Sequence, residues 1–120
     1  MSLRETLKQI TENVEGALAA FVMAYDGIAI DEIIVGAPEF DVQLLAVEYA
    51  TVLAEIKRAV EVIKVGGLEE VSITTGQVRV CLRCLGEELF AGLVMARTGN
   101  FGKGRYLLRL TSIELARELA

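Results

Sequence analysis

A chain of 120 residues with 53% apolar content is read as a single domain over 1–120, with enough material for a hydrophobic core without metal or disulfide support. Its net charge of −5 arises from 12 basic and 17 acidic residues, and no basic cluster exceeds a pair. The counterion-release term that drives nucleic-acid binding is therefore small, and nucleic acid is excluded as a partner. Apolar runs break well before the roughly 18 residues that a membrane helix needs, which excludes membrane insertion. The opening Met1-Ser2-Leu3-Arg4-Glu5 lacks a signal peptide's apolar block, so the cytoplasm is the expected compartment.

Leu3, Leu7, Ile10 and Val14 recur at i, i+4, i+7 and i+11, predicting an amphipathic helix over 3–14 that Gly16 closes. Residues 18–24 are apolar on both alternating faces, Asp26-Gly27 supplies the left-handed positions of a tight turn, and 28–35 returns as the second strand of a hairpin. Gly36-Ala37-Pro38 then breaks the chain. Asp41 is a candidate N-cap for a long helix that runs to Gly66-Gly67. Three strands follow at 69–75, 77–85 and 89–96, with turns short enough for an antiparallel meander. The glycine-rich stretch from Gly99 to Gly104 leads into a last helix over about 105–119.

The long helix carries two apolar stripes. Val42, Leu45, Tyr49, Val52, Ile56, Val60 and Ile63 repeat by threes and fours and are expected to cover the sheet. Leu44, Val47, Thr51 and Ala54, ending at Arg58, repeat on the opposite side, where a surface helix ordinarily shows charge. That leftover stripe implies a second partner surface.

Strand composition orders the sheet. The first and fifth strands are apolar on both faces and belong in the centre. The second carries Asp31 and Glu32, and the third alternates Val71 and Ile73 with Ser72 and Thr74, so both read as edges. With hairpin connections the expected architecture is an α/β sandwich of the α+β class. It has a five-stranded antiparallel sheet of order 2-1-5-4-3, the long helix on one face and the two terminal helices on the other.

Residues that bear chemistry are few. Cys81 and Cys84 form a CxxC, but on an alternating strand they point to opposite faces, and the chain has no histidine and no third cysteine. No metal or other cofactor is expected. Gly99 to Arg105, with Lys103, invites comparison with a phosphate loop, yet the residue after Lys103 is Gly104 where a Walker loop needs Ser or Thr. Ser2, Ser72 and Ser112 lack a nucleophile motif, and the pairs Glu69-Glu70 and Glu87-Glu88 read as solvated turn carboxylates. Arg79, Arg83 and Arg58 are weighed as arginines supplied in trans against the simpler reading of surface ion pairs with the many glutamates. The chain is expected not to be an enzyme.

The element order, with the local segments Ala24-Tyr25-Asp26-Gly27-Ile28-Ala29-Ile30 and Asn100-Phe101-Gly102 followed by Arg105, resembles the roadblock family, named for the dynein light chain. The resemblance covers almost the whole chain. It implies a homodimeric module whose bacterial and archaeal members control a Ras-like small GTPase. Members of the gliding-motility class act as GTPase-activating partners, and eukaryotic relatives serve as scaffolds. It also implies that third strands pair across the dimer and long helices meet at its axis. Val71 and Ile73 then lie on the shared edge, with Leu44, Val47, Thr51, Ala54 and Arg58 on the helical surface. The leading expectation is a homodimeric regulator that binds the GTPase's switch regions and stimulates GTP hydrolysis in trans. The alternatives are a non-catalytic scaffold or adaptor subunit of a larger assembly, and a small-molecule sensor, the last weakened by a core with few convergent polar groups.

Overall fold

The structure, a computed structural model, describes residues 2–119. Helix α1 (Leu3–Asn13) starts at Ser2, whose hydroxyl accepts from the Glu5 amide at 3.2 Å. Strands β1 (Ala17–Ala24) and β2 (Ala29–Ile34) form the expected hairpin. Its turn uses Gly27 at φ 91°, the Gly27 amide donates to the Ala24 carbonyl at 2.9 Å, and the Asp26 carboxylate accepts from the Ile28 amide at 3.1 Å. Helix α2 (Val42–Ile63) opens at Asp41, whose carboxylate accepts from the Leu44 amide at 3.0 Å and satisfies one of the free donors of the first turn. It ends at Lys64, just before the glycines that bound it in the sequence: Lys64 takes the left-handed conformation at φ 62°, and its amide donates to the Val60 carbonyl at 3.1 Å.

Strands β3 (Glu70–Thr74), β4 (Val78–Leu85) and β5 (Leu89–Ala96) form the antiparallel meander. The β1–β5 pairing joins it to the hairpin, giving the order β2-β1-β5-β4-β3 with β2 and β3 at the edges, as strand composition predicts. One face of the sheet is covered by α2, through Val42, Ala46, Ala50 and Leu53 packed on Ala19, Phe21 and Phe90. The other is covered by α1 and α3 (Phe101–Glu118), with Leu7, Ile10, Leu108 and Leu115 packed on Ala20, Val22, Leu93 and Met95. Each face therefore has its own core within one chain.

Two expectations are corrected. The last helix begins at Phe101, not near Arg105, because Asn100 caps it by accepting from the Lys103 amide at 3.1 Å. The stretch compared with a phosphate loop is thus the first turn of α3. Gly104 lies inside that helix, where an added Cβ would stand 2.6 Å from Met95 Sδ and 2.9 Å from Leu93 Cδ2, so the glycine allows α3 to lie close against the sheet. The sheet-facing stripe of α2 is also rotated from expectation. Ala46, Ala50 and Leu53 are buried, whereas Val52 and Ile63 are exposed. The Phe21 and Phe90 rings, 5.9 Å apart in an edge-to-face pair, already fill that side of the sheet. Ala46 and Ala50 fit above these rings beside Val42 and Leu53, and Val52 and Ile63 are left outside. Leu45, Tyr49, Ile56 and Val60 lie half-buried.

Candidate functional site

The outer side of α2 carries exposed apolar residues without a partner among the described residues. Leu44, Val47, Val52, Val62 and Ile63 are exposed there, at 57%, 42%, 46%, 68% and 66% respectively. Single exposed apolar residues are ordinary on a soluble domain, but five large ones on the solvent side of one helix exceed what an amphipathic surface helix ordinarily shows. Leu44, Thr51 and Arg58 are seven residues apart and share a side of the helix, with Val47 beside them. Thr51 and Arg58 are exposed as well, while Ala54 is half-buried on the flank of this surface. Hydrophobic spacing alone missed Val52, Val62 and Ile63. The signal that could have placed them outside is the stripe of two alanines and a leucine, Ala46, Ala50 and Leu53, spaced i, i+4 and i+7.

One flank of α2 is held to the β1–β2 hairpin. Gln43 Nε2 donates to Glu32 Oε1 at 2.7 Å, and Val47 stands over the turn, where a Cβ on Gly27 would lie in ordinary contact with it at 3.6 Å. Farther along, Lys57 Nζ sits 2.8 Å from Glu61 and 3.3 Å from Glu87, and lies 5.8 Å from the centre of the Tyr25 ring. Beyond the opposite flank lies β3, hydrogen-bonded to β4 on one side only. Its unpaired edge is a template for another strand. Val71 and Ile73 are half-buried against the α2 side of the sheet, so what β3 offers outward is mainly backbone.

The arginines do not converge on one point. Arg79 lies with its guanidinium carbon 4.0 Å above the Phe101 ring, a stacking that neither alternative in the sequence described. Arg83 is largely buried between Glu69 at 3.7 Å and Glu70 at 3.4 Å, and Glu70 also holds Arg105 at 2.5 Å. Arg58 pairs with Glu55 at 3.4 Å on the outer face of α2. Arg58 and Arg83 are thus ion-paired; Arg79 and Arg83 share the α3 side of β4, as their spacing predicts, while Arg58 stands on α2 beyond the opposite face of the sheet.

Cys81 and Cys84 are free thiols on opposite faces of the sheet. Cys81 is buried in the core under α1 and α3, and that burial pushes its thiol up to about 12. Cys84 stands on the α2 side beside Tyr25. Burial raises its thiol too, against opposing effects from Tyr25, Lys57 and Arg83. Both are protonated and poorly nucleophilic at neutral pH. Among the described residues no group of three or more His, Cys, Asp or Glu side chains is arranged to hold a metal ion, and no helix is long and apolar enough to cross a membrane.

The fold has counterparts in solved structures. The crystal structure of MglC from Myxococcus xanthus is 39% identical, aligns over 98% of this chain and 99% of that one, and superposes with a TM-score of 0.72. A Roadblock/LC7 domain from Streptomyces avermitilis shares 12% identity over 99% of this chain and 98% of its own, with a TM-score of 0.83. The chain belongs to the roadblock family. A structure of MglB with a tetrameric arrangement shares the same roadblock fold at 20% identity, over 96% of this chain and 85% of that one, with a TM-score of 0.84. No sequence model of a protein family matches the chain, and neither does any curated protein.

Proposed function

We propose that this roadblock protein is a cytoplasmic homodimer that regulates a Ras-like small GTPase, engaging its switch regions and stimulating GTP hydrolysis while supplying no catalytic group of its own. The observation that carries the proposal is the pairing of an exposed apolar face on α2 with the free edge of β3. Two copies related by a two-fold axis cover both at once, because a self-complementary patch meets itself across such an axis. Leu44, Val47, Thr51, Ala54 and Arg58 then serve at the helical surface, and Val71 and Ile73 stand behind the paired edges. MglB, with its tetrameric arrangement, is a protein of this fold that self-associates. Regulation through switch loops needs no catalytic side chain, only different contacts with the two nucleotide states.

Two measurements test this reading. Light scattering should give twice the chain mass of 13.0 kDa at tens of micromolar. The dimer should bind its cognate GTPase more tightly when that partner is loaded with a GTP analogue than with GDP, and should speed turnover. A dimer with equal affinity for both forms, and with unchanged hydrolysis and exchange rates, would leave the scaffold role standing and reject the regulatory one.

A further inference from the structure

The sheet separates α2 from a second exposed surface on α3. The buried side of α3 carries Gly104, Leu108, Ser112 and Leu115. Its outer side carries Tyr106, Leu110 and Ile113, exposed at 52%, 49% and 65%. These three recur at i, i+4 and i+7 and form one row. Lys103, Arg109 and Arg117 flank the row, are exposed, and make no ion pair among the described residues. Arg109 instead lies 5.8 Å from the centre of the Tyr106 ring. Arg105 is bound by Glu70 and Glu118 faces Thr6 of α1, while the exposed Glu114, one residue after Ile113 and three before Arg117, is the one carboxylate of α3 beside the row.

Within a chain of net charge −5, α3 has four basic residues and two acidic ones, so this helix is a local inversion of the protein's charge. From Lys103 to Arg117 the row spans about 20 Å, the length of a short docked helix. We infer that this face of α3 is a docking site for an acidic amphipathic helix of another protein, whose apolar stripe covers Tyr106, Leu110 and Ile113 and whose carboxylates meet Lys103, Arg109 and Arg117. Charge selects this occupant. A second copy docking α3 on α3 would set these cations against one another. The site is independent of the GTPase reading, and a dimer formed through α2 and β3 would present it twice.

The test uses the full chain and a fluorescent synthetic amphipathic helix of about 18 residues with a leucine stripe flanked by glutamates. Anisotropy should show saturable binding that weakens with salt, and the same peptide with lysines for glutamates should not bind. Ile113→Glu, on a side chain that is mostly in solvent, should keep the circular dichroism spectrum and weaken binding by at least about tenfold. The pair Arg109→Glu with Arg117→Glu should weaken it similarly and remove its salt dependence. Amide shifts in an NMR titration should fall on α3. No binding of the acidic peptide, shifts confined to α2, unchanged binding by both variants, or binding of phosphatidylserine vesicles in place of the peptide would each overturn the inference.

Discussion

Neighbouring residues Val52 and Leu53 on α2 should respond to the same substitution in opposite ways. Leu53 is fully buried between the helix and the Phe21 and Phe90 rings. Removing a leucine side chain from such a site costs about 2–5 kcal/mol. Leu53→Asp also has to keep its carboxyl neutral at pH 7, about three pH units above an ordinary aspartate, which adds about 4 kcal/mol. The total of roughly 6–9 kcal/mol rivals the whole stability of a domain, roughly 5–15 kcal/mol, so this variant should be largely unfolded. Val52 is 46% exposed, so Val52→Asp loses about half of a valine's burial, near 1 kcal/mol, and leaves its carboxylate in water. It should remain folded and, like Val47→Asp, shift the protein from dimer to monomer. Far-UV circular dichroism with a urea titration reads the first effect, and light scattering reads the second. Equal loss of fold in both variants, or a native Leu53→Asp, would show that the helix is seated differently. A fully dimeric Val47→Asp would remove Val47 from the proposed contact.

Three further outcomes follow from the packing and the charges. Gly92 faces the Phe21 ring so closely that an added Cβ would lie 2.2 Å from Cζ, so Gly92→Ala should cost about 2–3 kcal/mol and lower the melting temperature by roughly 10 °C. Phe21→Leu added to that variant should cost less than it does in the native background, and strictly additive losses would contradict this contact. Because burial raises the Cys81 thiol to about 12, the folded state keeps its proton while the unfolded thiol ionises near pH 9. Its contribution to stability is therefore complete below pH 9 and lost as pH rises toward 12, and Cys81→Ala should flatten that part of a urea-midpoint profile. Glu70→Gln removes the charge shared by Arg83 and Arg105 and should cost about 1–3 kcal/mol in urea titrations, because Arg83 remains largely buried with only the exposed Glu69 as its pair. An unchanged midpoint would mean that solvent already screens the cluster.

What the sequence determined by itself lies mostly in local chemistry. The Asp26-Gly27 turn, the Asp41 cap and the alternation of the strands act within a few residues, so they locate elements without knowledge of the rest of the fold. Strand polarity carried further: Asp31 and Glu32 in β2, against the apolar β1 and β5, suffice to order the sheet, because only edges tolerate charge on a half-solvated surface. The face of α2 was not decided locally. Apolar residues occur around most of that helix, so spacing admits more than one buried stripe, and the choice falls to volume against the Phe21 and Phe90 rings. The same holds for Gly104, which marks the start of a helix by composition but sits within α3, where contact with Met95 and Leu93 needs a residue without a side chain. The basic and apolar row on α3 became distinct only when the sheet buried Leu108 and Leu115 and when Glu70, from a strand far away in sequence, bound Arg105. Partners that meet only after folding leave no pattern in the neighbouring residues, so tertiary structure alone separates a cation used inside the domain from one left for another protein.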